Sequence, residues 1–81
     1  MKAEETLEAE LHGALRALRN AFPDIAATYD TRTQSALARH LGRLVVMSWD
    51  GPYYVVMSAQ RAPFLCADIF DATKQAIKAL T

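Results

Sequence analysis

The residues best suited to nucleophilic chemistry are one cysteine and two histidines, Cys66, His12 and His40. A catalytic thiol needs a base close enough to lower or carry its proton. Cys66 instead lies in the apolar run 64–67, where a free cysteine typically packs as a small buried hydrophobic residue. Because no spacing brings a histidine to this thiol, we expect a protein that is not an enzyme.

The sequence also predicts no metal and no cofactor. Two histidine ligands on one helix face need a spacing such as H-x-x-x-H, and His40 has Ala36 and Leu44 four residues away on either side. A single cysteine cannot complete a four-ligand zinc site without acidic residues or a second chain. The three glycines stand apart in the sequence and form no phosphate-binding loop.

Arg32, Arg39 and Arg43 are the strongest polar candidates. Their spacing of seven and four residues places them in a narrow arc if one helix extends to Arg43. Such a stripe suits carboxylates or phosphates, on an acidic protein surface or a nucleic-acid backbone. The alternative is a solvated helix face whose charges pair with the Glu-rich start of the chain.

The charge is balanced overall but uneven along the chain. Nine Lys and Arg residues match nine Asp and Glu residues, which argues against a surface that is basic all over, as sequence-independent nucleic-acid binding needs. The first ten residues carry one Lys and four Glu, whereas residues 11–49 carry five Arg and two Asp. A local basic patch therefore stays compatible with the zero net charge.

Length and composition predict one small globular domain over residues 1–81, since the chain has 81 residues and is 52% hydrophobic. The single cysteine permits no internal disulfide and fits a reducing compartment. No stretch approaches the roughly 20 apolar residues of a membrane helix. The acidic start also differs from a secretory signal. We therefore expect a cytoplasmic protein without a membrane partner.

Two helices are predicted in the first half of the chain. Leucines recur at helical spacing over residues 4–21, and Pro23 ends that helix. A second helix is predicted over residues 32–41, where a capping box (Thr31 and Gln34) begins it and Gly42 ends it. Residues 24–31 between them are rich in β-branched and cap-forming residues, which favours a loop.

An antiparallel hairpin follows, with strands over residues 43–49 and 53–58. Pro52 has no N–H to close a two-residue turn, so we expect a loop of three or more residues, with Trp49 opposite Tyr53.

Both faces of this hairpin are largely apolar, with Ser48 and Ser58 as the polar exceptions. A loop of even length would regroup the strands without making either face polar. An antiparallel hairpin with one solvent-exposed face should alternate apolar and polar residues. Because this hairpin does not, its second face needs a cover. Helices on both sides or a partner chain would provide it.

A short third strand over residues 64–67 and a final helix capped by Asp68 complete the predicted order, α-α-β-β-(β)-α. The fold class is α+β, a small single domain in which the hairpin packs against helices. No motif is specific enough to indicate a family.

These features favour a non-enzymatic protein-interaction module that binds a partner protein through an apolar sheet face and the arginines. A small regulator or inhibitor fits this description, such as the inhibitors of host defence complexes that phage and mobile elements encode. The main alternative is a nucleic-acid-binding domain that uses the arginines for phosphates and an exposed tyrosine for stacking. A homodimer through the same face is a further possibility. The candidate contact residues are Arg32, Arg39, Arg43, Val46, Tyr54 and Val56.

Overall fold

The leucine stripe forms the first helix, α1, which spans Glu4–Ala21 in a computed structural model that describes residues 2–59 and 61–81. The helix ends as predicted, because Phe22, before Pro23, has a non-helical backbone with φ of −133° and ψ of 89°, and its N–H donates to Leu18 O at 2.8 Å. The apolar stripe of α1 is buried, and its buried residues are Leu7, Leu11, Ala14, Leu15 and Leu18.

Five strands follow in the described part of the chain, and each pairs antiparallel with its neighbour in sequence. They are β1 (Ala26–Asp30), β2 (Ser35–His40), β3 (Arg43–Asp50), β4 (Tyr53–Ser58) and β5 (Arg61–Cys66), in the sheet order β1-β2-β3-β4-β5. The last strand starts three residues earlier than predicted. A second helix, α2 (Ile69–Leu80), begins where the Asp68 carboxylate accepts a hydrogen bond from the Asp71 N–H at 2.8 Å.

The α+β class and the packing of the hairpin against helices are confirmed. α1 packs over β1 to β3 and α2 packs over β3 to β5, on the same face of the sheet, and the two helices contact each other. Fully buried alanines, Ala36 and Ala38 on the sheet and Ala72 and Ala76 on α2, let the layers approach closely. The hydrophobic core therefore lies between two helices and one sheet face.

The predicted helix over residues 32–41 is wrong, and so is the predicted loop over residues 24–31. These segments form β1, a turn and β2. The Asp30 carboxylate accepts hydrogen bonds from the N–H groups of Arg32 and Thr33, at 2.9 and 3.4 Å, which closes a turn where a helix cap was predicted. Gln34 then adopts a left-handed backbone with φ of 53°, which no helix tolerates in its first turn.

Gly42 likewise belongs to a hairpin turn rather than to a helix end. Leu41 and Gly42 both have positive φ, 51° and 79°, and join His40 directly to its partner Arg43. Two left-handed central residues are typical of a type I′ turn. Gly42 therefore has the left-handed backbone that was predicted, but in a turn between two strands.

The loop between β3 and β4 is shorter than predicted. Asp50 pairs with Tyr53, so only Gly51 and Pro52 connect the strands, and their peptide bond is cis. Trp49 lies opposite Tyr54 instead of Tyr53. This even-length loop shifts β4 by one residue relative to the predicted register, which exchanges its two faces.

The Leu41 turn gives a prediction about stability. Leucine is unfavourable at positive φ, whereas asparagine tolerates it, so Leu41→Asn should raise the free energy of unfolding by about 1 kcal/mol. Urea denaturation measures this change. Leu41→Ala is the control, because it removes the same side chain, 87% exposed, but keeps an unfavourable residue in the turn. An equal gain from alanine would show that turn geometry is not the cause.

Candidate functional site

The candidate site is the face of the sheet opposite the helices, which we call the open sheet face. Strand pairing arranges its side chains in rows across the sheet. One row comprises Thr28, Leu37, Val46 and Met57. The next comprises Asp30, Ser35, Ser48, Val55 and Leu65.

The centre of the open sheet face is apolar. Leu37, Val46 and Val55 are half-buried among their neighbours on the sheet. Met57 and Leu65 are more accessible, with 41% and 60% of their surface exposed. Single exposed apolar residues are ordinary on a soluble protein, but adjoining ones on four strands form a patch of the kind that marks interaction sites.

Charged residues mark the two ends of the open sheet face. Arg39 lies in the end row with Leu44, next to the β2–β3 turn. Asp30 and Asp50 lie at the other end, at the last residues of β1 and β3. The face therefore has a positive end, an apolar centre and a negative end.

The predicted basic stripe does not form, because the helix that would carry it is absent. Arg32 lies in the turn before β2, whereas Arg39 lies near the other end of that strand and Arg43 is the first residue of β3. Six strand residues separate these ends, about 20 Å at a rise of about 3.3 Å per residue. Arg43 also pairs with His40, so its side chain leaves the sheet on the side opposite Arg39.

The one-residue shift in β4 also moves two of the predicted contact residues. Tyr54 and Val56 face the helices and are buried in the core, so neither belongs to an exposed surface. Tyr53 takes the outward position, with 46% of its surface exposed. Val46 lies on the open sheet face, where an interaction surface through β3 requires it.

A polar cluster that the sequence did not indicate surrounds the buried Tyr54. Its hydroxyl donates a hydrogen bond to the Glu10 carboxylate on α1. The Lys2 ammonium lies 3.1 Å from Glu10 Oε1, 5.2 Å from the centre of the Trp49 ring and 5.7 Å from that of Tyr54.

Glu10 is three residues after Leu7 and four before Ala14, both buried. That spacing on the edge of the apolar stripe is the one signal that could have singled out Glu10.

The contacts within this cluster shift two pKa values in opposite directions. The hydrogen bond from Tyr54 is the main reason that the pKa of Glu10 lies below its usual value, and Lys2 lowers it further. Burial is the main reason that the pKa of Tyr54 is raised, and the Glu10 carboxylate adds to this effect. At neutral pH the cluster thus holds a charged carboxylate and a neutral phenol.

An open recess with a volume of about 970 Å³ adjoins this cluster. It lies at the negative end of the sheet, where three connections meet the start of α1, and Lys2 and Trp49 belong both to its wall and to the cluster. Gly51 leaves room for the indole, because a Cβ there would lie 3.1 Å from Trp49 Nε1. The other lining residues are Glu4, Leu7, Gln34, Pro52 and Ala67.

The structure keeps the cysteine and the histidines apart. Cys66 ends β5 at one edge of the sheet, whereas His12 packs against Tyr29 of β1 at the other edge, with 4.8 Å between the ring centres. The ring of His40, the last residue of β2, packs on Phe22. Burial first, and then Asp71, raises the pKa of the Cys66 thiol to about 11, opposite to the shift that activates a nucleophile.

Within residues 2–59 and 61–81, no three His, Cys, Asp or Glu side chains gather as metal ligands would. Over the same residues, neither helix has the length and apolar character needed to cross a bilayer.

Comparison with known proteins found no family model, no curated protein and no solved structure that matches this chain.

The pKa of Glu10 predicts how stability depends on pH. Because folding lowers this pKa below 4.5, the charged carboxylate stabilises the fold above that value, and the contribution is lost as the pH falls through the folded pKa. Glu10→Gln weakens a charged hydrogen bond and should cost about 1 kcal/mol at pH 7. Urea denaturation at pH 7 and about pH 3 should show this difference shrinking in acid.

Glu5→Gln is the matched control, since Glu5 is exposed on the same helix. A loss of stability from Glu10→Gln that stays constant between the two pH values would contradict the assigned role of the carboxylate.

Proposed function

We propose that this protein is a non-enzymatic interaction module whose open sheet face docks onto a partner protein. The observation that carries the proposal is the apolar centre of that face, which both helices leave uncovered. Burying apolar surface is the main favourable contribution to most protein association. A partner would supply the cover that the apolar residues on both sides of β3 and β4 require.

The size of the face favours a transient contact. Five strands leave four spacings of about 4.8 Å, so the sheet is about 19 Å wide. β3 has eight residues and is therefore about 26 Å long. The face then covers on the order of 500 Å², or about 1,000 Å² counted on both partners, which is small for an obligate dimer. This size fits a regulator or inhibitor that binds a larger partner.

The charged ends of the face define the chemistry of that partner. Its surface should be apolar at the centre, with an acidic side chain placed to meet Arg39 and a basic one placed to meet Asp30 or Asp50. Complementary charges of this kind select the partner and fix its orientation more than they add affinity. The single free thiol also suits a protein that works in the cytoplasm.

The geometry favours a protein partner over a nucleic acid. Phosphate binding along a strand needs several cations on one surface, and Arg32, Arg39 and Arg43 lie at different ends or on different sides of the sheet. Stacking needs an exposed aromatic platform, and Tyr54 is buried. Tyr53, at the turn between β3 and β4, is exposed on the open sheet face, whereas the exposed Phe64 and Phe70 belong to β5 and α2 and form no shared platform with it.

A charge placed in the centre of the open sheet face tests this proposal. Val46→Lys should leave the fold intact, because the lysine can extend along the sheet and keep its ammonium in water. It should weaken partner binding at least about tenfold, as expected for a central interface residue. Val45→Lys on the same strand should instead unfold the protein, since Val45 is fully buried beneath the helices.

The measurement has two stages. A photoreactive residue at position 57, on the open sheet face, should cross-link a partner in the native host, whereas the same residue at position 75, on α2, should not. The purified partner should then bind wild type and Asn20→Lys, an exposed change on α1, equally well. It should bind Val46→Lys weakly.

Equal binding by all three proteins would overturn the proposal. So would a purified chain that dimerises through this face, or cross-links that lead mainly to nucleic acid.

A further inference from the structure

The polar cluster beside Tyr54 has the form of a recognition site for an organic cation. Two aromatic rings, Trp49 and Tyr54, meet edge to face with 4.9 Å between their centres and 63° between their planes. The Lys2 ammonium lies within 6 Å of both ring centres, at 5.2 and 5.7 Å. Cations are attracted to aromatic faces at such distances.

The Glu10 carboxylate supplies a fixed negative charge beside the two rings, and we call Trp49, Tyr54 and Glu10 together the cage. The Glu10 oxygens lie 3.1 and 3.3 Å from the Lys2 nitrogen. Tyr54 donates its hydroxyl to the same carboxylate, so the carboxylate keeps its orientation whichever cation it binds. Two aromatic walls and an oriented carboxylate are the elements that recognise ammonium ligands.

The cage opens onto a volume large enough for a ligand. Lys2 and Trp49 also line the recess of about 970 Å³, so a cation in place of the lysine nitrogen could extend its remainder into that space. Ligand sites typically occupy about 300–1,000 Å³ and are lined mainly by apolar groups with a few polar ones. Glu4, at the recess wall, adds a second negative charge that disfavours anions.

We propose that the Trp49–Tyr54–Glu10 cage binds a small organic ammonium compound, and that Lys2 is an intramolecular ligand that competes for the same position. The exchange conserves charge, because one ammonium replaces another beside Glu10. Lys2 precedes α1, which begins at Glu4, so its side chain can leave the cage without breaking a helical hydrogen bond. The site is separate from the open sheet face, and its function does not depend on a docking partner.

Choline and its uncharged carbon analogue, 3,3-dimethylbutan-1-ol, provide a direct test. The two molecules have nearly the same shape, but only choline carries a positive charge. Trp49 is the single tryptophan of the chain, so its fluorescence reports directly on the cage. Titrations at constant ionic strength should show saturable binding of choline to Lys2→Gln, with an affinity about tenfold higher than for wild type, because an intramolecular competitor has been removed.

Two further variants sharpen the test. Lys74→Gln makes the same chemical change at an exposed position on α2 and should bind choline as wild type does. The double variant Lys2→Gln/Glu10→Gln should lose the preference for choline over the alcohol, because the counter-charge is gone. Circular dichroism confirms that each variant is folded. If Lys2→Gln is unfolded, Lys2→Met serves in its place, since it keeps an apolar chain over the rings without the charge.

Three results would overturn the proposal. The first is equal affinity of folded Lys2→Gln for choline and for the alcohol, which would indicate a merely apolar recess. The second is no saturable response to choline. The third is the same choline affinity for wild type and Lys2→Gln, which would show that Lys2 does not compete.

Discussion

The rest of the structure depends on one constraint, which is that both helices pack on the same face of the five-stranded sheet and leave its other face uncovered. Their apolar stripes, on α1 and α2, are both buried against the same face. Strand side chains alternate between faces, so each apolar run in β3 and β4 supplies the core and the open sheet face in equal measure. Half of these apolar side chains therefore pack in the core. The other half accounts for the exposed apolar rows of the open sheet face.

Local sequence signals were sufficient where they had only one structural meaning. The leucine period of α1, the Asp68 cap of α2 and the β-branched residues of β3 and β4 each indicated the element that forms. The segment from β1 to β2 was mispredicted because its signals have two meanings. A capping pattern near Thr31 also suits a tight turn closed by Asp30, and a left-handed glycine such as Gly42 ends helices and reverses strands alike.

The candidate site was harder to predict than the fold, for two physical reasons. A one-residue change in the length of a turn exchanges the two faces of the following strand, so the two-residue loop before β4 decided whether Tyr54 and Val56 or their neighbours would face water. The contact between Glu10 and Tyr54 joins residues 44 positions apart, and no local pattern encodes it. Val46 was placed on an uncovered face because both hairpin faces are apolar in any register.

The meander order has a consequence for synthesis on the ribosome. Every strand pairs with its sequence neighbour, so the sheet can assemble progressively through local contacts, which favours rapid folding. In the described residues α1 precedes β1 to β3, the strands on which it packs, and α2 follows all five strands. The leucine stripe of α1 therefore stays uncovered until β1 to β3 have been synthesised. For a nascent chain, that interval is when self-association or capture by a chaperone competes most strongly with folding.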